Sequence, residues 1–93
     1  DRRLKERFEQ LGCAQYLMHR TGHNIGHRCH GIGANLDDYE THDDRCLLPG
    51  TMFSIEPGLY TDKYGVRLEY DVHITSEGET KVYGPVQDEI LVI

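Results

Sequence analysis

Six histidines occur in 93 residues, and four of them (His19, His23, His27 and His30) fall between positions 19 and 30. Imidazole is both the commonest side-chain metal ligand and a proton shuttle near neutral pH. The stretch reads HRTGHNIGHRCHGIG, with glycines interleaved among the histidines. Each glycine costs a helix about 1 kcal/mol against alanine, so extended or turning backbone is expected. His23 and His30 then belong to different short segments that a turn could bring together. His19 and His23 are four apart but lack the glutamate of HExxH. On spacing alone, the cluster is either a metal site or a set of loop histidines.

Two carboxylates downstream are candidates for the same chemistry. Glu56 stands before Pro57-Gly58, and Glu69 lies in an alternating run with Arg67 on the same side. A carboxylate facing inward must be paired or metal-bound, whereas one facing water needs no partner. Arg67 and Glu69 could equally form a plain same-face ion pair. The acidic run Asp37, Asp38, Glu40, Asp43 and Asp44 lacks the calcium-loop pattern and reads as a solvated loop. Cys29, beside His30, reads as a packing residue, with metal sensitivity as the alternative.

The elements that must position these groups are short. Leu4, Phe8 and Leu11 recur at helical spacing, which predicts a helix over 1–11 ending at Gly12. Tyr16 to Met18 reads as a strand, and 34–50 as a loop long enough to suggest function or flexibility. Thr51 to Ile55 is a predicted strand, broken by Pro57. Val66 to Thr75 alternates and is predicted as one strand, with Val66, Leu68, Tyr70, Val72 and Ile74 on one face. A turn at 76–78, a returning strand over 80–83 and a closing strand or short helix over 88–93 complete the pattern. One helix followed by strands predicts an α+β fold.

Composition narrows the function classes. Sixteen acidic against ten basic side chains give a net charge of −6, which argues against binding a nucleic-acid backbone. No apolar run is long enough for a membrane span, and no signal segment opens the chain. Three cysteines without a CxxC predict reduced thiols and a cytoplasmic setting. The length predicts a single domain.

Three segments in order, HRTGHNIGHRCHGIGANLDDYETHD, LLPGTMFSIEPGLY and YGVRLEYDVHIT, resemble the C-terminal part of the pita-bread metallopeptidases. Xaa-Pro aminopeptidases and dipeptidases are the nearest pattern. The resemblance covers essentially all of 1–93. It implies that His23 is a metal ligand and that Glu56 is both a ligand and the general base. It also implies that Glu69 bridges two metals and that His30 assists at the reacting carbonyl. His19 and Arg67 would be substrate-side or supporting residues. The implied cofactor is a pair of divalent ions, manganese or cobalt, with iron or zinc as alternatives. The implied substrate is a peptide with proline second. Tyr70 and Asn24 depart from the family's pattern without removing a ligand. The family's site also uses two aspartates upstream that these residues do not include. The expectation is therefore a fragment of a catalytic domain, inactive alone, which self-associates into a homo-oligomer to cover its exposed edge. A noncatalytic binding module and a metal-independent creatinase-like hydrolase on the same fold are the alternatives.

Overall fold

Leu4 and Phe8 lie along helix α1, Arg2–Gln10, with Leu11 as its C-cap, in a computed structural model that describes residues 1–90 and residue 92. Gly12 ends the helix as predicted. It takes φ +70°, the left-handed region, while the Cys13 amide donates to Phe8 O at 2.9 Å and the Gly12 amide to Glu9 O at 3.0 Å. Those two bonds are a Schellman closure, which glycine permits without strain.

The strand expected at Tyr16 to Met18 does not form. Ala14–Tyr16 is a single 3-10 turn, and only Leu17 finds an extended partner, Leu59. The fold-back after Gly12 carries the Tyr16 and Leu17 amides onto Cys13 O and Ala14 O, which curls the backbone before it can extend.

Strands β1 (Asn24–Ile25), β2 (Met52–Ile55), β5 (Tyr70–Ile74) and β6 (Thr80–Tyr83) form an antiparallel sheet in the order β1-β2-β5-β6. Strands β3 (Gly58–Tyr60) and β4 (Gly65–Arg67) form a separate hairpin. The α+β expectation therefore holds, with one helix followed by antiparallel strands. Phe53 and Val72 face each other across β2 and β5 and, with Ala34, are the buried apolar side chains among the described residues.

The predicted strand over 66–75 is two strands in two sheets. Proline lacks the N–H that a ladder needs, so β2 stops before Pro57 and the chain resumes as β3. The partner must break at the matching point. Ile55 pairs with Tyr70 and Gly58 with Arg67, so the register carries across the gap and sets Glu56 opposite Glu69 and Pro57 opposite Leu68. Alternation continues through the break, but of the expected apolar face only Val72 is buried.

The closing element expected over 88–93 is also absent where it is described. Asp88 to Ile90 and Val92 are neither strand nor helix, and Leu91 and Ile93 lie outside the described residues. Ile90 and Val92 are exposed and pair with no strand.

Candidate metal and catalytic centre

The site begins with a close approach that only glycine allows. A Cβ on Gly22 would lie 1.9 Å from the Ser54 carbonyl oxygen, so the segment before β1 sits directly on β2. Three bonds lock it there. The Ser54 amide donates to His23 O at 2.9 Å, the Glu56 amide to Thr21 O at 2.7 Å, and the His23 amide to Ser54 Oγ at 3.0 Å. The Ser54 hydroxyl then donates its own proton to Glu56 Oε1 at 3.0 Å. One fully buried hydroxyl thus fixes both the backbone of His23 and the carboxylate of Glu56.

His23 is buried, and its Nδ1 lies 3.1 Å from Asn24 O, so that nitrogen carries the proton and donates it to the carbonyl. Nε2 faces Glu56 Oε1 at 3.2 Å. In the neutral ring this sets a lone pair against a carboxylate oxygen, two donor atoms that a cation between them would satisfy. A carbonyl holding the distal ring nitrogen is also how ligating histidines are oriented.

Glu69, opposite Glu56 across the strand break, is joined to it through Arg67. One guanidinium nitrogen lies 3.6 Å from Glu56 Oε2 and the other 3.5 Å from Glu69 Oε2. Two like charges at facing positions repel, and Arg67 offsets that repulsion. The set of one imidazole lone pair and two facing carboxylates suits a borderline-hard divalent cation.

A cleft of about 150 Å³ brings together His19, His23, His30, Glu56 and Arg67, with Arg20 and Glu40 on its wall. Concavities of about 390 and 460 Å³ exist elsewhere, but none of these five residues lines them. Glu69 lies outside the small cleft and reaches it through Arg67. The His30 ring stacks on His23 with centroids 4.0 Å apart. His19 donates from Nδ1 to Arg20 O at 2.7 Å, which leaves Nε2 to accept the Tyr60 hydroxyl at 2.9 Å.

Four supporting residues escaped the sequence reading: Ser54, Tyr60, Arg20 and Glu40. Ser54 had a usable signal, because it lies two positions before Glu56 on a strand and shares its face. The acidic run is not simply a solvated loop. Asp37 is buried and accepts hydrogen bonds from the amides of Tyr39, Glu40 and Thr41 and from the Thr41 hydroxyl. Burial opposes its charge, but those bonds outweigh it and hold the carboxyl below the usual range. Arg20, 3.6 Å from Asp37 and 3.7 Å from Glu40, ties that turn to the cleft.

Residues 1–76 match metallopeptidase family M24. The chain belongs to that family. It is 36% identical over 84 residues to the Mycobacterium tuberculosis protein named "Probable dipeptidase PepE", covering 88% of this chain and 21% of that one. The Xaa-Pro dipeptidase from Bacillus anthracis superposes with TM-score 0.76 at 31% identity, over 96% of this chain and 24% of its own. The X-Pro aminopeptidase from Thermotoga maritima superposes with TM-score 0.80 at 28% identity, over 96% and 24%. The M24 pita-bread resemblance is therefore confirmed, and the chain spans about a fifth of the length of the curated relatives it matches. A metallopeptidase family implies divalent metal; of the expected donors the structure brings His23 and Glu56 together, while Glu69 stands outside the cleft behind Arg67. Among the described residues, no helix is long and apolar enough to cross a membrane.

Proposed function

We propose that this M24 chain contributes to the metal centre and peptide cleft of an enzyme that hydrolyses the bond between an N-terminal residue and proline. The observation that carries this reading is the Ser54-anchored pair of His23 and Glu56, with Nε2 and Oε1 3.2 Å apart. His23, Glu56 and Glu69 would hold divalent metal, manganese or cobalt first, and the resemblance implies two further aspartates from polypeptide outside these residues. Bound metal would acidify water and polarise the scissile carbonyl.

The chain's own residues do the rest. Glu56 is the base that takes the proton of the attacking water, and Ser54 holds its Oε1 in place for that transfer. His30, exposed at the mouth, donates to the carbonyl oxygen as charge develops there. Arg67 keeps Glu56 and Glu69 from repelling each other and presents a cation to the substrate side. His19, fixed by Tyr60, lines the same wall. The small cleft suits the terminal residues of a peptide rather than an extended chain.

Calorimetric titration of Mn2+ into the chain, with His23→Ala and Glu56→Gln alongside, tests this. Weak binding by the parent chain that both substitutions abolish is expected, with no turnover of Xaa-Pro dipeptides by these residues alone. Unchanged binding in either variant would refute the ligand assignment. Efficient hydrolysis by the isolated chain would refute the need for further ligands.

A further inference from the structure

Cys29 is unused by the centre described above, yet it sits over it. The loop 26–31 is pinched at its base, where the Gly31 amide donates to Asn24 O at 2.8 Å and the Gly26 amide to Arg28 O at 3.1 Å. A Cβ on Gly31 would lie 2.1 Å from Asn24 Oδ1 and 2.9 Å from Gly26 N, so the two glycines let the loop fold back on β1. The fold-back carries Cys29 and His30 onto His23. Ligand atoms of His23, Cys29 and His30 all lie within 4.8 Å of one another.

We propose that His23, Cys29 and His30 form a second metal site, with two imidazole nitrogens and one thiolate sulfur as donors, selective for thiophilic ions of the Zn2+ class. Zinc bonds nitrogen at about 2.0–2.1 Å and thiolate at about 2.3 Å, so donors around one ion stand roughly 3.3–3.7 Å apart. The present separations are at most 4.8 Å, and two of the three side chains are exposed and able to close on an ion. The thiol loses its proton on binding, and the thiolate and two imidazoles leave one tetrahedral position for water. Thiolate prefers softer ions than the carboxylate pair does. The two sites therefore sort metals, and because both need His23 they exclude each other. A zinc-class ion would draw His23 from Glu56 and disable the centre.

The site shares His23 with the peptidase reading but has a readout that reading does not. Titration of the protein with Co2+ or Cd2+ should produce a near-ultraviolet thiolate-to-metal absorption that saturates at one ion. Cys29→Ser should abolish it, while Cys13→Ser and Cys46→Ser should retain it. His30→Ala should weaken binding by at least about tenfold. Glu56→Gln, which abolishes the proposed Mn2+ binding, should keep the absorption, so the two proposals fail separately. Circular dichroism checks that each variant stays folded. No thiolate absorption in the parent protein, or absorption that survives Cys29→Ser, would overturn the proposal.

Discussion

Ser54→Ala removes a single oxygen from the centre of the molecule. The hydroxyl is fully buried, accepts the His23 amide at 3.0 Å and donates to Glu56 Oε1 at 3.0 Å. Alanine leaves the buried His23 N–H without that partner, which costs about 1–3 kcal/mol. It also removes a donor to a carboxylate, a bond worth about 1.5–3 kcal/mol. The two losses share one atom and do not add fully, so about 2–4 kcal/mol is expected. Native domains hold about 0.05–0.15 kcal/mol per residue, so this is a large share of the total. In urea unfolding, the midpoint should fall with the slope unchanged. At a temperature where the variant is still folded, Mn2+ affinity should also drop, because Glu56 is no longer aimed at His23 Nε2. A destabilisation below about 0.5 kcal/mol, the range of an ordinary surface substitution, would refute the idea that Ser54 joins the two halves of the site.

Gly22→Ala places a methyl group 1.9 Å from the Ser54 carbonyl oxygen, and the forced separation should cost at least about 1–3 kcal/mol in urea unfolding; an unchanged midpoint would show that the contact is not made. Arg67→Ala removes a guanidinium that competes for Glu56 and Glu69. Because Arg67 is half exposed, the gain is at most about 1 kcal/mol, so Mn2+ should bind up to roughly fivefold tighter by calorimetry, whereas weaker binding would make Arg67 a support for the metal instead. His42 donates to Asp38 at 2.7 Å, and that hydrogen bond raises the imidazole above its usual range. Its stabilisation is full below the unfolded histidine pKa and is lost as pH rises through the raised value. In an NMR titration Asp38→Asn should bring the His42 midpoint down, and no movement would discount the pair.

The helix was legible because its stripe and its glycine stop are local signals. The break at Pro57 was legible too, because proline's missing N–H is a property of one residue. Its consequence on the partner strand was not. Leu68 and Glu69 keep the alternation of their neighbours, and only the register from Ile55↔Tyr70 to Gly58↔Arg67 shows that the partner must break there. The approach of His30 to His23 was open from spacing, since it depends on Gly26 and Gly31 meeting face to face. Asp37 was misread as solvated because its partners are backbone amides, which composition does not display.

That last point extends to the molecule as a whole. Among the described residues the buried polar side chains are Thr21, His23, Asn24, Asp37 and Ser54, against Ala34, Phe53 and Val72 as the buried apolar ones. A polar majority in a small interior is costly unless every member is bonded, and no buried side-chain nitrogen or oxygen among the described residues lacks a partner. The Asn24 side chain accepts the Gly33 amide and donates to Met52 O, which holds the loop base against β2. Ser54 does the same for His23 and Glu56. His23 and Glu56, which would hold metal, are therefore also tied into the bonds that join β1 to β2. Stability and metal affinity should fall together at Ser54 and Gly22, whereas at Arg67, which is half exposed, they should part.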